Sequence, residues 1–211
     1  MILPHWNPAR GNLVCRKRAG FSLVELLISV VLILILSMML MGNGMFSNHQ
    51  RLVADCQKNL QKIYLAMSIY DLDNKGAFPT VAGATTSEPP LSLLVPRSTT
   101  VTEIFICPGS KENKLPEGEP FAKRRVSYAY YMGRSKLDGA EALLMSDRQV
   151  NVLPKIKRQQ MFSESGKGAG ANHSKSGGNL LFCDGSFRMA KARALHDYLF
   201  PTNVVLLNPK P

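Results

Sequence analysis

Residues 16–41 read RKRAGFSLVELLISVVLILILSMMLM. Three basic residues, Arg16, Lys17 and Arg18, stand directly before an apolar run of 21 residues, Phe21 to Met41. At about 1.5 Å per residue, a helix of that length crosses a hydrocarbon core of about 30 Å. The basic cluster keeps the preceding segment in the cytoplasm and sends everything after Met41 outside. An ordinary secretory signal has a shorter apolar core ending in a small-residue cleavage site. Here the run is longer, and MMLMGNGMF offers no such site. A plain anchor helix explains length and charge but leaves Glu25 unexplained. A lone carboxylate in an apolar span costs a few kcal/mol and marks function by default. Cleavage after Gly20 would give Phe21 a free amine, the charge that Glu25 of a neighbouring copy needs.

Working outward, the segment ahead of Gly20 holds four basic residues and no acid, so the formal charge of +11 leaves +7 on the rest. A basic surface alone specifies no partner, and no specific nucleic-acid binding is expected. Four cysteines are present, Cys15, Cys56, Cys107 and Cys183, with no C-x-x-C pair to suggest a zinc ribbon or a redox motif.

Beyond the apolar run, Gly42 and Gly44 loosen the helix at the membrane exit. Leu52, Cys56, Leu60, Ile63, Met67 and Tyr70 then recur in steps of three and four, a helical stripe opposite Arg51, Asp55, Lys58 and Lys62. The helix is expected to run to about Asp71 and to pack this stripe on a sheet. Asp73-Asn74-Lys75-Gly76 and Pro79 end it. Asp71 and Asp73 could ligate calcium through oxygen, but a calcium loop needs further acids, and a helix-ending turn is the reading taken.

Residues 80–100 read as a surface loop. Strands are expected at Glu103–Cys107, Val126–Met132 and Ala142–Ser146, and a long flexible loop over 148–178. The glycine-rich GKGAGANHSKSGG lacks the spacing of a phosphate loop. NLLFC-DG-SFRMA is a hairpin signal, with Asp184-Gly185 as a two-residue turn. That turn pairs Phe182 with Phe187 and Leu180 with Met189. It places Leu180, Phe182, Phe187 and Met189 together on the face toward the helix stripe.

The string G-F-S-L-V-E before an apolar helix and behind a basic leader resembles the class III signal of type IV pilins and type II secretion pseudopilins. The resemblance implies cleavage after Gly20 by a prepilin peptidase, methylation of Phe21, and an assembly role for Glu25. It implies an α+β pilin-like fold, with the long N-terminal helix packed on a small antiparallel sheet. The organisation expected is a cytoplasmic leader at 1–20, a transmembrane and assembly helix at 21–42 and a periplasmic head at 43–211. The partners implied are the prepilin peptidase, other pilin or pseudopilin subunits, the inner-membrane platform of a secretion or pilus machine, and membrane lipid.

His173 through Gly185, HSKSGGNLLFCDG, resembles the C-terminal signature of the prepilin-type processing-associated H-X9-DG domain. CPGS at Cys107 and SYAYYM at Ser127 resemble that family's middle region. Here ten residues separate His173 from Asp184, one more than the signature. His173, Asp184, Asp147 and several serines permit a triad on paper, but no G-x-S-x-G elbow is present, and the chain is not expected to be an enzyme. His173 and Asp184 are expected to form a hydrogen-bonded structural pair. No cofactor or resident metal is expected, a site of His173 with aspartate oxygens being the minority reading. In an oxidising compartment Cys56 and Cys107 are expected to form a disulfide, leaving Cys183 free. That bond would close about 50 residues and stabilise the head by about 4 kcal/mol on chain-entropy grounds. The function expected is structural, a filament subunit. The rival is a membrane-anchored binding module that never polymerises.

Overall fold

The computed structural model describes residues 20–42, 44–110, 121, 124–150, 158–197 and 201–210. The expected leader, apart from Gly20, lies outside the described residues, as does Cys15. The chain divides at Gly44 into two compact units.

The first unit is built on α1, Leu23–Gly42. Its 18-residue window Leu23–Leu40 has a mean hydropathy of 2.9, long and apolar enough to cross a membrane. The hydroxyls of Ser29 and Ser37 donate to the carbonyls of Leu26 and Ile33, so both polar groups are satisfied within the helix. Its large apolar side chains are exposed, from Leu23 at 80% to Leu40 at 80%. Such a surface needs lipid or other helices around it.

The second unit opens with α2, Gly44–Asp73. The predicted stripe is buried at Cys56, Leu60, Ile63 and Met67, with Tyr70 packed against the same core. The helix ends as its turn residues dictate. Asn74 N and Gly76 N both donate to the Asp71 carbonyl, and Gly76 takes a φ of +81°. A short helix, α3, spans Glu88–Ser92.

Five strands form one antiparallel sheet: β1 Tyr128–Met132, β2 Leu143–Asp147, β3 Gly178–Phe182, β4 Phe187–Ala190 and β5 Val205–Leu207. Their spatial order is β4-β3-β2-β1-β5. The head is therefore α+β, as expected. Two of the three expected early strands correspond to β1 and β2. The third does not form: a 3-10 turn occupies Thr102–Phe105. Ile104, Phe105, Ile106 and Cys107 are nevertheless buried in succession.

The sheet is covered on both faces. Toward α2 lie Tyr128, Tyr130, Leu144, Met145, Leu181 and Cys183. The opposite face carries Ala129, Tyr131, Leu143, Leu180 and Phe182, packed with Met161 and Phe162. The stretch expected to be a flexible loop thus supplies part of a second core, although residues 151–157 lie outside the described residues.

The hairpin differs from expectation by one residue. Leu181 pairs with Phe187 and Leu180 with Arg188. Phe182 N donates to Ser186 O, and Gly185 N to Phe182 O. The loop is therefore Cys183-Asp184-Gly185, three residues with glycine in the left-handed region at φ +84°. Leu181 and Cys183, not Leu180 and Phe182, face α2, and Met189 is left 54% exposed. A one-residue slip exchanges the faces of a strand. Every residue of β3 is buried, so its hydrophobic pattern could not reveal the choice.

Candidate functional site

At the N-terminal end, Gly20 and Phe21 precede α1, with Phe21 78% exposed. Glu25 lies in the first turn and is the only acid in α1. Among the described residues it has neither an ion-pair nor a hydrogen-bond partner. A lipid headgroup, water, a proton or another molecule can compensate its charge.

The second candidate lies inside the head and is assembled from four distant segments. α2 supplies Cys56 from its buried stripe. The turn after Thr102–Phe105 supplies Cys107, whose carbonyl accepts from Ser110 N and Ser110 Oγ. The end of β2 supplies Asp147. The segment before β3 supplies His173. A register shift between Leu143 and Met145 inserts an extra residue into β2 against β3. It reverses the alternation: Leu143 faces away from α2, yet Met145 and Asp147 face toward it. Without the bulge, Asp147 would point into the other core.

All four side chains are buried, and their ligand atoms lie within 4.8 Å of one another. Cys56 Sγ donates to Asp147 Oδ1 at 3.0 Å. His173 Nε2 stands 3.3 Å from Asp147 Oδ2 and 3.4 Å from Cys107 Sγ. A second ring of contacts fixes these groups. Asn179 N donates to Asp147 Oδ2 at 2.6 Å, Asn172 Nδ2 reaches Oδ1 at 3.2 Å, and Tyr128 Oη lies 3.3 Å from Cys56 Sγ. Gly109 allows the close approach of His173, since a Cβ there would stand 2.7 Å from its Nδ1. The His49 and His173 rings stand nearly perpendicular at a centroid distance of 6.3 Å.

The electrostatics follow from burial and from these contacts. Burial opposes a charged imidazole, but hydrogen bonds to Asp147 and Cys107 outweigh it and raise the His173 pKa to about 10. Burial also pushes the Cys56 thiol well above its ordinary value, reinforced by its neighbour Cys107. At Cys107 burial is overcome by hydrogen bonds from Cys56 and His173, and the thiol is shifted down, toward the ligand-competent thiolate. Cys183, outside the cluster, is pushed up to about 12 by burial.

The sequence-predicted residues are sorted by this geometry. Cys56 and Cys107 are brought together, but as free thiols; the expected disulfide is not formed in this structure. Cys183 is also a free thiol. His173 and Asp184 are not brought together. His173 joins Asp147, while Asp184 is exposed in the hairpin loop and accepts from Ser186 N at 2.8 Å. Gly185 fits against Tyr64, whose ring a Cβ would approach to 2.8 Å. The histidine and the DG of the signature thus act at opposite ends of β3, one in a polar cluster and one in a turn. Asp71 is engaged by Lys136 at 3.2 Å, and Asp73 is exposed. Of the residues of the paper triad, His173 meets Asp147 through Nε2 at 3.3 Å, and Asp184 lies apart in the hairpin loop. Asn172, Asn179 and Gly109 had no signal in the sequence, because their roles arise only from where the backbone returns.

Comparison with known proteins bears on the N-terminal candidate. Residues 15–41 match the prokaryotic N-terminal methylation motif. The match spans Gly20, Phe21 and Glu25 and ends where the apolar run ends. It supports a pilin-like, membrane-anchored chain that is a substrate of prepilin peptidase. No curated protein and no solved structure matches the chain significantly.

Proposed function

We propose that the chain is a structural subunit of a pseudopilus or type IV pilus-like filament, serving protein secretion or a related process. It is inserted in the inner membrane with its head in the periplasm, cleaved after Gly20 and methylated on Phe21. It is then drawn into a filament through an inner-membrane platform. The carrying observation is Glu25, the single acid of α1, without a partner among the described residues and within the match to the methylation motif. In a filament of packed α1 helices, the carboxylate meets the Phe21 amine of a neighbour and neither charge is left alone in an apolar medium. The apolar faces of α1 supply the packing surface between subunits. The head, of the processing-associated H-X9-DG type by resemblance, forms the outer layer.

Mass spectrometry of the membrane-extracted protein tests the processing step. The expected N-terminus is a methylated Phe21. An intact leader, or cleavage beyond Met41, removes the pilin-like reading. Correct processing with no filament at any expression level favours the non-polymerising anchored module.

A further inference from the structure

We infer that Cys56, Cys107, Asp147 and His173 form a structural site for Zn2+ inside the head. This inference does not depend on the filament reading. Two thiols, an imidazole and a carboxylate are the side chains that bind this borderline-soft ion, and four ligands close a structural site. Tetrahedral coordination with the usual Zn–S, Zn–N and Zn–O bonds requires ligand atoms about 3.3–3.8 Å apart. His173 Nε2 stands 3.4 Å from Cys107 Sγ and 3.3 Å from Asp147 Oδ2, while Cys56 Sγ stands 3.0 Å from the other oxygen, Oδ1, so whichever oxygen binds, two of the short pairs belong to one ligand set. No pair exceeds 4.8 Å, so the longest needs to close by about 1 Å to complete the tetrahedron.

Convergence distinguishes this arrangement from its rivals. A disulfide would use two of the four atoms and leave the aspartate and the histidine as a buried pair with no reason to meet the sulfurs. A nucleophilic site would need access for substrate, and all four residues are buried. The surrounding contacts fit a metal centre as well. Asn179 N and Asn172 Nδ2 hold the carboxylate, and Tyr128 Oη lies beside the Cys56 sulfur. Such outer contacts orient ligands and offset the charge of thiolates. Zn2+ enters as protons leave the two thiols and His173 Nε2; no electron is transferred. Bound thiolates would also be protected from pairing in an oxidising compartment.

The test uses the full-length chain, extracted from membranes in detergent and purified without chelator or reductant. Elemental analysis should find about one zinc per chain. Replacement by Co2+ should give the visible bands of a tetrahedral ion with thiolate charge transfer. Cys107→Ser and His173→Gln should weaken Zn2+ binding by more than about 100-fold in competition with a chromophoric chelator, and Asn172→Ala by about 10–100-fold. Cys183→Ser, equally buried but outside the cluster, should bind as wild type. Should the variants fail to fold, the wild-type protein decides. After metal removal in denaturant without reductant, Cys56, Cys107 and Cys183 should all alkylate. Recovery of a Cys56–Cys107 disulfide peptide as the main species would overturn the inference. So would an octahedral Co2+ spectrum without charge transfer, or zinc content unchanged by Cys107→Ser.

Discussion

Glu25 and Asp147 are carboxylates set among apolar residues, and the chain treats them in opposite ways. Asp147 is fully buried and receives contacts from Cys56, Asn172, His173 and Asn179. Glu25 is exposed on α1 and, among the described residues, receives none. The same contrast holds for the two units as wholes. The head covers both faces of its sheet from its own chain. α1 leaves its apolar side chains exposed. A charge in an apolar medium needs compensation wherever it lies, and under the proposed function a neighbouring subunit supplies it for Glu25.

Mutations should separate the two units accordingly. The largest effect is expected from Glu25→Leu. Filament incorporation, measured as sheared-filament yield against the processed membrane pool, should fall almost completely, since loss of a buried charge pair costs about 3–5 kcal/mol per contact. Membrane insertion should be at least as efficient as in wild type, and the melting of the head should be unchanged. Normal assembly of this variant would remove the assembly role of Glu25.

Phe162→Ala should have the converse signature. Phe162 is fully buried on the face of the sheet away from α2, and its ring lies against Gly178. Truncation should cost the head about 3–5 kcal/mol and lower its Tm by about 10 °C, without affecting cleavage after Gly20. A loss under about 1 kcal/mol would mean that the segment around Phe162 does not form a second core.

Gly185→Ala is a smaller probe of the hairpin. The left-handed backbone and the contact with Tyr64 should together cost about 1–2 kcal/mol, read from denaturant unfolding. A neutral or stabilising outcome would argue against the left-handed backbone and the close Tyr64 contact at Gly185.

The sequence alone determined the features that depend on local order along the chain. A basic cluster, a glycine, an apolar run and one acid define α1, because span length and charge placement are properties of consecutive residues. The stripe from Leu52 to Tyr70 determined which side of α2 is buried, because its residues recur at the helical period over about five turns. The turn residues after Asp73 ended that helix where expected. Tertiary structure decided everything that depended on which face or which partner was chosen. β3 is buried at every position and its three large apolar residues, Leu180, Leu181 and Phe182, are consecutive, so its pattern carried no orientation, and the loop length and the packing of Gly185 on Tyr64 settle the register. Asp147 faces Cys56 only because β2 carries a bulge that reverses its alternation. Cys56, Cys107, Asp147 and His173 are separated by tens of residues and share no spacing motif. A metal-ligand set drawn from one helix, one turn, one strand and one loop exists only once the sheet and α2 have packed, since packing alone brings the four donors to a common centre.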